Sequence, residues 1–129
     1  MASRPLPAAT CSVLLAAADP DGLAGFYGEL LGVVPQAGLG PGHWRLSLPG
    51  GGLLELYAPS RRRGLAAPGG RQALCLQRRG AADALTAWVE AACARGAQLA
   101  EPARQEPFGW EAWLLDPEGN RLLLLVLPA

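Results

Sequence analysis

Between Cys11 and Gly32 the apolar positions change their period. Cys11 to Ala17 is a short apolar run of strand length, and Asp19-Pro20-Asp21-Gly22 interrupts it with turn residues. Leu23, Phe26, Tyr27, Leu30 and Leu31 then recur at i, i+3, i+4, i+7 and i+8, which predicts a helix from about Asp21 to Leu31, closed by Gly32. A short strand near Val33 to Gln36 follows, then the loop Gly38 to Gly42 and strands over His43 to Leu48 and Leu53 to Tyr57. The turn Pro49-Gly50-Gly51-Gly52 makes a hairpin of the last two.

After residues 58–70, rich in Arg, Gly, Pro and Ala, the order repeats. Gln72 to Leu76 is a strand, and Ala81 to Arg95 is a helix with Leu85, Val89 and Ala92 on its apolar face and Gly96 at its end. A short strand at Gln98 to Ala100, a strand at Trp110 to Leu115, the turn Asp116-Pro117-Glu118-Gly119 and a strand at Asn120 to Leu127 complete it. The pattern predicts one α+β domain over residues 1–129, built as two βαβββ modules: about 11–57, a linker 58–70, and about 71–127. A repeat of about 60 residues is too long for a solenoid and fits two fused copies of one module.

Alternation gives each half-sheet one face packed on its helix and one free to line a cleft. In the last strand Leu122, Leu124 and Val126 face one way, and Arg121, Leu123 and Leu125 the other. If the four-residue turn sets the hairpin register, Trp44 shares the cleft face with Leu53, Glu55 and Tyr57. Parity sends one of Trp110 and Trp113 inward, and Trp110 is taken with Trp44 as a wall for a planar or apolar ligand. Trp88 is assigned to helix packing.

The chain is 129 residues long and 50% hydrophobic, enough to bury a core without disulfide or metal support. Intrinsic disorder and a disulfide scaffold are excluded. All eleven basic residues are Arg, and eleven acids balance them, so there is no cationic surplus to bind nucleic acid. The run Arg61-Arg62-Arg63 is expected to be a solvated turn. Cys11, Cys75 and Cys93 are odd in number and contain no CxxC, which fits reduced thiols in a cytoplasmic protein. Ala8 to Ala18 is too short and too interrupted by Thr10 and Ser12 for a signal peptide, and no stretch has the length of a membrane span.

Two motifs carry a resemblance. Phe26-Tyr27 followed by Leu30-Leu31-Gly32 resembles the end of the first helix in the vicinal-oxygen-chelate superfamily, which includes glyoxalase I, bleomycin and fosfomycin resistance proteins and extradiol dioxygenases. Leu115-Asp116-Pro117-Glu118-Gly119-Asn120 resembles that superfamily's late hairpin turn, and the doubled βαβββ order extends the likeness from Cys11 to Leu127. The resemblance implies a half-open, barrel-like cleft and a homodimer. It also implies a divalent metal held by the first and last strands of each module, at positions that correspond here to Ser12, Glu55, Arg71 and Leu123.

Of those four, only Glu55 is a metal-ligand type, and an Arg would repel a cation. His43 begins a different strand and is not expected at the same point. Glu55 and Arg71 are expected to pair across the cleft floor, or Arg71 to take an anionic ligand group with Glu55 as acceptor or base. The leading expectation, which the resemblance implies, is a metal-free and cofactor-free small-molecule binding protein of the bleomycin-resistance type with Ser12, Trp44, Glu55, Tyr57, Arg71, Trp110 and Leu123 around the ligand in its concave cleft. The alternatives are a metal-dependent glyoxalase-like lyase, isomerase or dioxygenase, and a structural or regulatory dimer with a filled cleft.

Overall fold

A computed structural model describes residues 6–60 and 64–129; the Arg61-Arg62-Arg63 run lies outside them. The first module runs β1 (Val13–Ala16), α1 (Pro20–Leu31), β2 (Gln36–Ala37), β3 (His43–Ser47) and β4 (Leu53–Tyr57). The second runs β5 (Leu74–Gly80), α2 (Ala82–Ala94), β6 (Gln98–Leu99), β7 (Arg104–Glu106), β8 (Gly109–Leu115) and β9 (Arg121–Pro128). The fold is α+β with two sheets and no closed barrel, ordered β1-β4-β3-β2 and β5-β9-β8-β6, with β7 also paired to β8.

Local chemistry accounts for these elements. The Asp19 side chain accepts the Gly22 amide at 3.1 Å and Pro20 occupies the first turn of α1, while Gly32 ends it in the left-handed conformation. Leu23, Phe26, Tyr27 and Leu30 are buried, as the helical spacing predicts. On α2 the buried residues are Leu85, Trp88 and Ala92. Leu46, Leu54 and Leu56 from one sheet and Leu114, Leu122, Leu124 and Val126 from the other are fully buried, and one apolar cluster joins both modules.

β1 starts at Val13, after the expected Cys11, and β2 is Gln36–Ala37 where Val33 to Gln36 was expected; two further elements depart more. β5 begins later than Gln72 and runs on through Gln77, Arg78 and Arg79, because all seven of its residues pair in parallel with β9, from Leu74 opposite Leu122 to Gly80 opposite Pro128. It forms the edge of its sheet, where polar residues are tolerated and even protective. β7 has no apolar signal at all. Its Arg104 is held by Glu101, Glu106 and Glu111, so charge pairing and the ladder to β8 define it.

The hairpin between β3 and β4 decides which residues reach the cleft. Ser47 pairs with Leu53 and Arg45 with Glu55, one position away from the register of a four-residue turn. Leu48 joins the loop instead, its amide donating to the Gly52 carbonyl at 3.1 Å while its own carbonyl accepts from Gly51 at 3.0 Å. Gly50, Gly51 and Gly52 all have positive φ (87°, 110° and 93°), a path that side-chain-bearing residues resist. A one-residue slip exchanges the two faces of a strand.

The modules are joined by the two motifs that carried the resemblance. The Tyr27 hydroxyl donates to Asp116 Oδ2 at 2.6 Å in a buried setting. Asp116 Oδ1 accepts the Glu118 and Asn120 amides at 2.9 and 3.0 Å, which shapes the turn. Glu118 reaches back to accept the Ala18 and Asp19 amides at 2.6 and 2.9 Å, just ahead of α1.

Candidate functional site

Glu55 sits on β4 between two neighbours, opposite Leu14 of β1 on one side and Arg45 of β3 on the other. Leu54 and Leu56 point into the core, so alternation turns Glu55 to the face that no helix covers. There its carboxylate accepts three side-chain hydrogen bonds: Ser12 Oγ to Oε2 at 2.6 Å, and His43 Nε2 and Arg45 Nε to Oε1 at 3.0 and 3.1 Å. The His43 and Glu55 side chains are 14% and 15% exposed, against 41% for Arg45, so the cluster is sheltered at its centre and open at Arg45.

The β2–β3 loop fixes the imidazole. The Leu39 amide donates to His43 Nδ1 at 2.7 Å, which makes Nδ1 an acceptor and leaves Nε2 to carry the proton given to Glu55. Gly38 lies against the ring so closely that a Cβ there would overlap it. The hydrogen bonds from Ser12 and Arg45 outweigh the opposing effect of desolvation and, with His43, hold the Glu55 carboxyl below its ordinary range. Such a carboxylate is a weak base and a well-anchored acceptor.

Beside this cluster lies a cavity of about 670 Å³ between β1 and the chain entering β5. Ser12, Leu14, Arg71, Leu74, Asn120 and Arg121 are among its lining. Of the residues expected at the site, Ser12 and Arg71 thus share a cavity, and Tyr57 lies on the same sheet face as Glu55, opposite His43. Leu123 faces Cys75 on β5 and Trp113 on β8, half-buried, on the helix-free side of its sheet.

Three expectations need correction. Glu55 does not pair with Arg71; among the described residues its partners are Ser12, His43 and Arg45, because β3 lies directly beside β4. Trp44 pairs with Leu56, faces the helix side, and gives its indole N–H to Asp21 of α1 at 2.8 Å. Trp110 pairs with Val126 and packs against the core, while Trp113 takes the open face with the Arg121 guanidinium 4.4 Å from its ring centroid. The hairpin register explains both the loss of Trp44 and the gain of His43 and Arg45. The β8–β9 turn slips in the same way: a four-residue turn sets Leu115 opposite Asn120 and puts Trp110 on the Leu123 face, whereas Leu115 pairs with Arg121 and Trp113 lies opposite Leu123.

The pattern of the glyoxalase-like domain matches residues 12–125. The chain belongs to the glyoxalase-like domain family. Within the vicinal-oxygen-chelate superfamily its fold is similar to a glyoxalase/bleomycin resistance protein/dioxygenase family enzyme from Burkholderia phytofirmans PsJN. That likeness has 20% identity and a TM-score of 0.73, over 90% of this chain and 96% of that one. A glyoxalase/bleomycin resistance protein from Albidiferax ferrireducens T118 is similar at 22% identity and a TM-score of 0.72, over 91% and 97% of the two chains. A glyoxalase-related enzyme from Fulvimarina pelagi aligns at 23% identity and a TM-score of 0.69, over 94% and 88%. At these identities the structures share the fold alone. No curated protein sequence matches the chain.

The four positions that the resemblance assigns to a divalent metal carry few metal donors in this chain. Ser12, Arg71 and Leu123 offer no imidazole or carboxylate, and both oxygens of Glu55 are occupied by protein donors, one of them a guanidinium that a cation would have to displace. Among the described residues no three His, Cys, Asp or Glu side chains gather at one point. This donor set does not fit a divalent cation. No helix among the described residues is long and apolar enough to cross a membrane.

Proposed function

We propose that this glyoxalase-like domain binds a small organic molecule in the cavity between β1 and the chain entering β5, without a metal or other cofactor. The observation that carries this reading is the closure of Glu55 by Ser12, His43 and Arg45, which turns the one ligand-type residue of the metal quartet into part of a hydrogen-bonded wall. The open cavity beside Ser12 and Arg71 favours binding over a filled, purely structural cleft, and its volume lies in the range of small-molecule sites. The depressed Glu55 pKa supports an acceptor role over a catalytic base.

The same reading includes a homodimer in a reducing cytoplasm. Val34, Leu39, Leu99 and Phe108 are exposed outside that cavity and give apolar surface for a second copy to cover.

Two measurements test the proposal. Metal analysis of protein purified from metal-supplemented medium is expected to find substoichiometric Ni, Zn, Mn and Fe; one tightly held equivalent that raises Tm overturns the metal-free reading. A thermal-shift screen over thiol conjugates, catechols and glycopeptide antibiotics, with light scattering for subunit number, is expected to find a stabilising compound and a dimer.

A further inference from the structure

The arginines of the described chain are almost all committed. Arg45 is paired with Glu55, Arg95 with Glu29, and Arg104 with Glu101, Glu106 and Glu111. Arg78 and Arg79 donate to the Leu30 and Pro128 carbonyls. Among the described residues two arginines, Arg71 and Arg121, have neither a carboxylate nor a carbonyl partner, and both line the 670 Å³ cavity. No Asp or Glu is among that cavity's lining residues. In a chain whose formal charges cancel, this is a local, uncompensated pair of positive groups.

The rest of the cavity gives the charge a direction. Arg121 is laid over the Trp113 ring, which limits the freedom of its guanidinium. Leu14, Leu15 and Leu74 supply an apolar wall. At the Ser12 end the hydroxyl proton is given to Glu55, so Ser12 presents acceptor lone pairs next to a carboxylate, and a second negative group would be repelled there. A free inorganic anion would leave most of such a volume unfilled.

We propose that this cavity takes an amphipathic organic anion, its carboxylate, sulfonate or phosphate-type head on Arg71 and Arg121 and its apolar body along Leu14, Leu15 and Leu74. The inference rests on the small-molecule-binding reading and assigns the ligand's class. Arg supplies a planar fork for such heads, and the charge-assisted contacts supply both affinity and orientation.

The test uses two fluorescent probes of similar body, 8-anilinonaphthalene-1-sulfonate and the neutral N-phenyl-1-naphthylamine. The native protein is expected to bind the sulfonate saturably and about tenfold or more tightly than the neutral probe, with the preference shrinking as salt is added. R71Q and R121Q are each expected to weaken the sulfonate by about tenfold, leave the neutral probe unchanged and keep the native circular dichroism spectrum. R79Q, outside the cavity, is expected to behave as the native protein. Equal affinity for the two probes, or unchanged sulfonate binding in R71Q and R121Q, overturns the anion assignment while leaving small-molecule binding intact. Failure of folded protein to bind either probe overturns the binding reading itself.

Discussion

A carboxylate with three protein donors is a different chemical object from one that waits for a metal. Glu55 accepts from Ser12, His43 and Arg45, and its pKa is depressed as a result. A group whose folded pKa is lowered contributes stability above its unfolded pKa and loses it as pH falls through the folded value. E55Q is therefore expected to flatten the acid side of the Tm against pH curve, with the native and variant curves converging at low pH; parallel curves would show that the three hydrogen bonds contribute no pH-dependent stability. His43 is defined equally closely, since the Leu39 amide and the bare backbone of Gly38 fix which nitrogen faces Glu55.

At the scale of elements, the β3–β4 loop selects the residues of the site. A Cβ on Gly51 would meet nothing within 4 Å, yet the residue has a φ of 110°. G51A is thus expected to cost about 1–2 kcal/mol in urea unfolding through backbone strain alone. This loop also marks where the sequence became hard to interpret. Both helices and the β4 boundaries followed from apolar spacing and turn residues, and the two-module order followed from repetition. Whether Leu48 belongs to the strand or the loop depends on hydrogen bonds between backbone atoms, which no side-chain pattern reports. That single residue exchanged Trp44 for His43 and Arg45 at the cleft. β7 and the polar half of β5 escaped for a related reason, since ladder pairing and charge define them where apolar burial does not.

At the scale of the whole molecule, the helix motif around Tyr27 and the turn motif around Asp116 are two halves of one joint. E118A removes the acceptor for the Ala18 and Asp19 amides at the start of α1. It is expected to cost about 1–3 kcal/mol and to speed hydrogen exchange at those two amides, with unfolding still a single transition because one core spans both modules. Unchanged exchange there would mean that water replaces Glu118 without loss.

The buried Tyr27 hydroxyl also gives the joint an optical readout. Burial, and then the charge and hydrogen bond of Asp116, push the Tyr27 phenol far above its ordinary range. A raised folded pKa means that the stabilisation is complete below the unfolded pKa and is lost as pH rises beyond it. The phenolate of Tyr27 is therefore expected to form as the fold opens around the Tyr27–Asp116 contact. The difference in absorbance near 295 nm between the native protein and Y27F in an alkaline titration is expected to rise together with the loss of circular dichroism. One tyrosine would then act as a built-in chromophore for opening of the joint as the domain unfolds, with no added label.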